Sequence, residues 1–208
     1  MSLLTNWGYT ITNADELPDM LESYEFYEFS AGKYHGDQRT AREISAASAA
    51  IRNYCGWHVY PPQACEVCIP MNDRRVTRVG TDLLIQLPAK YVSAVSKVEI
   101  NDVAVTAYTL ETNGLLRLYD ISPLGLHRYT PIDIIYAAGL PNELMGGVKE
   151  LVAHRVTHAL ASSNGITTEQ VGGVSVTYNA NWINSAQASS LQDSNKETLE
   201  PYRLQGVF

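Results

Sequence analysis

At 208 residues, with 45% hydrophobic and 18% charged side chains, the chain can bury at least one sizeable core. A formal net charge of −7 argues against a protein that grips nucleic acid in bulk, because neutralising phosphates takes a surplus of Lys and Arg. No apolar run approaches the roughly 20 residues of a membrane-spanning helix, and the opening residues lack the charged start and apolar centre of a secretion signal. A soluble intracellular product with no membrane partner is expected.

Residues 13–31 read as a first helix. Asn13 or Asp15 can cap it, Pro18 is tolerable near its start, and acids crowd the first turns where the helix dipole favours them. Residues 1–30 hold Asp15, Glu16, Asp19, Glu22, Glu25 and Glu28 but no Lys or Arg. The bland reading is a solvated face. The sharper one makes Glu22, Glu25 and Glu28 an acidic surface for a basic neighbour, another copy of the chain included.

A second helix is expected over residues 40–55. Thr40-Ala41-Arg42-Glu43 has the form of a capping box, Ile44, Ala47, Ile51 and Tyr54 recur at helical spacing, and Gly56 is placed to end the helix left-handed. Most other positions are Ala or Ser, which let neighbouring helices approach closely.

From about 64 to 138 the period changes to two. Five or so short strands are separated by Pro88, Asn101-Asp102, Asn113-Gly114 and Ser122-Pro123, as in a small antiparallel β-domain. Helix returns after Pro141, carried by Leu144, Val148, Leu151, Val152, Val156 and Ala159 and closed at Asn164-Gly165. Gly146 and Gly147 disfavour a helix interior, so the helix proper starts after them or a neighbour packs closely there. A glycine-led strand follows at Val171–Tyr178, and residues 194–204 suit a short terminal helix or arm. The expected fold is α+β: a helical hub built from segment 1–60 and the completing segment 140–208, with a β-domain inserted at 61–139.

Cys55, His58, Cys65 and Cys68 form the strongest candidate for chemistry. Their spacing, C-x2-H-x6-C-x2-C, supplies four ligands for a tetrahedral zinc. Against it, Cys65 and Cys68 lie three apart in a strand, where side chains point to opposite faces. His154 and His158, four apart on the returning helix, lack a third ligand, and the neighbouring Arg155 disfavours a cation. Arg74, Arg75 and Arg78 make a small basic cluster, either a solvated loop or a contact to an acidic partner or to passing DNA. No nucleophile elbow, phosphate loop or dinucleotide fingerprint is present, so no catalytic residue and no cofactor is assigned.

Taken in order, these pieces resemble the head–tail connector (adaptor) family of tailed bacteriophages and prophages. The resemblance rests on the Ala-rich run from Ile44 to Ile51 ending in Tyr54-Cys55-Gly56-Trp57, and on the acidic Leu17-Pro18 segment before it. It continues through Leu87-Pro88 leading into Val92, Val95 and Val98, through Ile134-Ile135-Tyr136-Ala137-Ala138-Gly139-Leu140-Pro141, through the strand Val171–Tyr178, and through Pro201-Tyr202-Arg203. It implies an enzyme-free structural subunit, assembled in the bacterial cytoplasm and placed at the virion neck. There a ring of identical copies docks on the portal protein, meets a tail-proximal neck protein, and leaves a channel through which DNA passes without specific binding. Candidate contact residues are Glu22, Glu25, Glu28, Arg74, Arg75, Arg78, Tyr202 and Arg203. The alternatives are a tail-completion or stopper protein of the same neck, and a small zinc-binding protein using the cysteine cluster.

Overall fold

The computed structural model describes residues 2–12, 14–121, 126–162, 168–171, 174–177 and 193–204. The chain divides into two compact units. One comprises residues 1–18, 55–142 and 202–208, the other residues 19–54 and 143–201.

The first unit is made of strands. β1 (Ser2–Leu4) and β2 (Thr10–Thr12) form a hairpin that adds to β3 (Gln63–Pro70). β4 (Val76–Val79), β5 (Asp82–Gln86), β6 (Val92–Ile100), β7 (Val103–Ala104), β8 (Tyr108–Leu110), β9 (Leu115–Leu118) and β10 (Pro131–Ala138) complete it. They form a six-stranded sheet in the order β1-β2-β3-β10-β6-β7 and a four-stranded sheet in the order β4-β5-β9-β8, with every pairing antiparallel.

Alternation of apolar and polar residues sets the face that each strand buries. Cys65, Val67 and Ile69 of β3 point inward with Ile132, Ile134, Tyr136 and Ala138 of β10, while Glu66 and Cys68 point out. Leu83 and Ile85 of β5 and Leu116 and Leu118 of β9 do the same in the smaller sheet. The β6–β7 turn at Asn101-Asp102 has φ of 50° and 63°, the left-handed pair that a tight hairpin needs.

Strand β6 carries two bulges. Its pairing with β10 shifts between Ile135 and Tyr136 and again between Ala137 and Ala138. The extra residues, Ser96 and Ser93, turn their hydroxyls back onto the Ile135 and Ala137 carbonyls at 3.1 and 3.3 Å. Such bulges twist a strand and blunt it as a template for edge pairing.

The second unit holds α1 (Ser23–Phe29), most of α2 (Gln38–Cys55), α3 (Gly146–Ser162), the hairpin β11 (Thr168–Val171) and β12 (Val174–Thr177), and α4 (Asp193–Leu199). α2 buries Ile44, Ala47, Ser48, Ile51 and Arg52 along one stripe, and α3 buries Val148, Val152, Ala153, Val156 and Leu160. α2 starts two residues earlier than its sequence suggests. Asp37 caps it, accepting the Thr40 amide at 2.7 Å, while the Thr40 hydroxyl bonds the His35 carbonyl at 2.9 Å instead of capping.

The expectation of a helical hub with a small β insertion is overturned. Ten strands in two antiparallel sheets form the larger framework, beside four short helices among the described residues. Two physical reasons account for the difference. The opening residues pair as strands with β3 rather than joining the helices. The helix expected over residues 13–31 shrinks to seven residues: residues 14–22 run irregularly through bends, and the Met20 amide is taken by the Ser48 hydroxyl of α2 at 3.0 Å. The returning helix includes Gly146 and Gly147 in its first turn, where a Cβ would meet nothing within 4 Å, so no close neighbour explains them. The expected stop at Asn164-Gly165 lies outside the described residues.

Candidate functional site

The most elaborate constellation lies in the strand unit, where three distant stretches of chain meet. Gly56, at φ +76°, ends α2 left-handed, and the chain turns through Trp57, His58 and Val59, all fully buried. Val59 itself sits at φ +62°, a conformation unfavourable for a β-branched residue. Its carbonyl accepts the Leu140 amide at 2.7 Å. Beside it Gly139, at φ +140°, leaves no room for a side chain: an added Cβ would lie 2.4 Å from Pro62 Cα and 2.6 Å from the Pro61 carbonyl oxygen. From the C-terminal end, the Leu204 amide bonds the Cys55 carbonyl at 2.9 Å and the Tyr202 carbonyl accepts the Trp57 indole N–H at 2.7 Å.

His58 is the polar centre of this turn. Its Nε2 lies 2.8 Å from the Ala138 carbonyl, which can only accept, so Nε2 carries the proton. Nδ1 is then the acceptor for the Tyr9 hydroxyl at 2.8 Å, and that same hydroxyl accepts the His58 amide at 3.0 Å. Around them run edge-on and stacked rings: Trp7 on Tyr9, Tyr9 on His58, His58 on Trp57, Trp57 on Tyr91, and Tyr91 beside Tyr202. The arrangement is a structural clasp. Its histidine holds two chain segments together, one through the Tyr9 hydroxyl and one through the Ala138 carbonyl.

The four candidate zinc ligands are not brought together. Both ring nitrogens of His58 are engaged, Cys65 is buried, and Cys68 is exposed on the opposite face of β3. Among the described residues, no group of three or more His, Cys, Asp or Glu side chains is arranged to hold a metal ion. Burial pushes the Cys65 thiol up to about 12. Its cross-strand neighbour Tyr136 is buried beside it on the same face of the sheet. The Cys68 thiol is pushed up to about 11, first by its hydrogen bond to Asp133 and then by burial and the charges of Asp133 and Glu66. His154 and His158 are both exposed on α3.

The charged candidates separate into two groups. Glu25 serves the fold: it accepts the Glu22 amide at 3.0 Å and the Lys149 ammonium at 2.5 Å. Burial raises its carboxyl, but those two donors outweigh it and hold the group below its ordinary value. Arg75 likewise makes a two-pronged pair with Asp73, both contacts at 2.9 Å. Glu22, Glu28, Arg74, Arg78 and Arg203 are exposed. Arg78 Nε reaches the Gly80 carbonyl at 3.3 Å, and Tyr202 is half-buried in the ring chain just described.

Several participants went unread in the sequence. Tyr9 and Tyr91 carry no local motif, and only the sheet brings Tyr9 to His58. Arg128 and Tyr129 stand alone in their segment, although an exposed basic–aromatic dipeptide next to a strand was available as a signal.

No protein-family model and no curated protein matches this chain.

Proposed function

We propose that the chain is a structural head-to-tail connector of a tailed bacteriophage or prophage, a subunit that works in a ring of copies between the portal and a tail-proximal neck protein. One observation carries the reading. The segments that bear the resemblance, around residues 54–61, 134–141 and 201–203, converge on the His58–Trp57 clasp through the Cys55–Leu204, Val59–Leu140 and Trp57–Tyr202 hydrogen bonds. Residues scattered through the sequence thus belong to one architectural feature, and that feature is built of main-chain and ring contacts rather than reactive groups. The strong acid of the chain also suits a channel through which DNA slides without being held.

Electron microscopy of assembled particles, with the chain labelled at an exposed position, tests the proposal. The expected result is a ring of label at the neck, beneath the portal, and pull-down of portal protein from infected cells. Label confined to the capsid shell or tail tube, or a turnover activity that co-purifies with the chain, overturns it.

A further inference from the structure

Two exposed surfaces of opposite sign remain once the internally used charges are set aside. On the helical unit, α1 presents Tyr24, Tyr27 and Phe29, with 62%, 45% and 51% of their surfaces exposed, beside the exposed carboxylate of Glu28. The Glu22 carboxylate, also exposed, caps the helix by accepting the Glu25 amide. Tyr27 is braced by stacking on His35 at 5.8 Å, so part of this face is formed in advance. On the strand unit, the turn after β3 and the loop before β10 are tied together by the Pro70–Pro131 pairing and by the Met71 amide on the Thr130 carbonyl at 2.9 Å. These two loops carry exposed Arg74 and Arg128, with Tyr129 73% exposed and the Arg128 guanidinium 5.6 Å from its ring. Asp73 is neutralised by Arg75, and Asp102 at the adjoining β6–β7 turn contributes one opposing carboxylate.

We infer that α1 of one copy docks on the Arg74–Arg128–Tyr129 loops of a second copy, a partner assignment that rests on the ring reading above. Both halves of a complementary pair lie on the same chain, and each combines aromatic rings with charge, the composition from which protein contacts draw most of their energy. Nucleic acid fits less well, since a chain of net charge −7 repels phosphate and α1 would do so strongly. Two different faces make a heterologous contact, which propagates head to tail until it closes. One such patch is small against the roughly 800 Å² per partner of a stable complex, so a single contact is weak and closure of the ring supplies the rest.

Sedimentation velocity of the full chain, with two variants and their mixture, tests this. The native chain is expected to form concentration-dependent oligomers that salt dissociates, because exposed charges are screened within about 10 Å at 0.1 M. Glu28→Arg alone, and Arg74→Glu with Arg128→Glu, are each expected to weaken association at least tenfold while the circular-dichroism spectrum stays native. Mixing the two variants restores oligomers, since each reversed face meets a reversed partner. A native chain that stays monomeric at low salt overturns the inference, as does a mixture that remains monomeric. So does a charge reversal that shifts the unfolding midpoint but not the oligomeric state, which would place the contact within one chain. These outcomes are separable from those of the microscopy. A ring at the neck with no effect of charge reversal removes only this contact, and charge-dependent oligomers without neck label remove only the connector reading.

Discussion

The Tyr9 hydroxyl and His58 exchange two hydrogen bonds: the hydroxyl donates to Nδ1 at 2.8 Å and accepts the main-chain amide at 3.0 Å. The two residues lie far apart in the chain, and this pair ties the N-terminal hairpin to the turn that follows α2. Replacing Tyr9 with Phe keeps the ring contacts but leaves a buried nitrogen and a buried amide without their partner. The expected loss is about 1–3 kcal/mol, read as a lower denaturation midpoint in urea at unchanged slope. Nitrogen chemical shifts of the native His58 ring are expected to report the Nε2–H form.

Glu25 and Lys149 form a half-buried pair with side-chain exposures of 21% and 12%. The folded carboxyl lies below its ordinary value of 4.5, so its stabilisation is fully present above that pH and is lost as pH falls through the lower folded value. Glu25→Gln is expected to cost about 1–2 kcal/mol at neutral pH, with the gap to the native chain closing on acidification below the ordinary carboxylate range. Thermal unfolding at a series of pH values checks this. A gap that stays constant into strong acid would show that the carboxylate charge is not responsible.

Gly139 faces the Pro61–Pro62 backbone at distances no Cβ can tolerate. Gly139→Ala is therefore expected to destabilise the strand unit by about 3 kcal/mol or more, and to appear first as loss of soluble protein. Gly80→Ala offers a control, because its φ of +63° is also left-handed but nothing lies within 4 Å of the added carbon. Its cost should be much the smaller of the two.

Cys68 is exposed yet held at a pKa of about 11, chiefly by its hydrogen bond to Asp133. At pH 8 roughly one thiol in a thousand is ionised, so alkylation is expected to be slow and confined to Cys68, with Cys55 and Cys65 reacting only after unfolding. Asp133→Asn should speed Cys68 labelling severalfold. Mass spectrometry of timed iodoacetamide reactions reads both effects, and a fast native reaction at Cys65 would contradict its burial.

How far the residues announce this structure depends on the range of the forces involved. α2, the left-handed stop at Gly56, the alternation in β3, β5, β9 and β10, and the Asn101-Asp102 turn were all legible, because each follows from steric preference or periodicity within a few residues. The opposition of Cys65 and Cys68 across β3 was legible in the same way. The first helix misled: acids and a plausible cap described a helix over residues 13–31, but the Ser48 hydroxyl of α2 takes the Met20 amide and the helix begins only at Ser23.

By itself, then, the order of residues determined α2, the returning helix and the strands β3, β5, β6, β9 and β10, with the apolar side of β3, β5, β9 and β10. The single strand expected at Val171–Tyr178 is instead the hairpin of β11 and β12. Only the tertiary structure decided that the N-terminal residues belong to the sheet and that Tyr9 completes His58. It also decided that Glu25 and Arg75 are consumed internally, while the loops that carry Arg74 and Arg128 are joined at Pro70–Pro131 and Met71–Thr130. Local preferences act between neighbours a few positions apart. Which strand accepts which, and which charge finds its counter-charge, depends on contacts between residues far apart in the chain, and no short-range pattern records them.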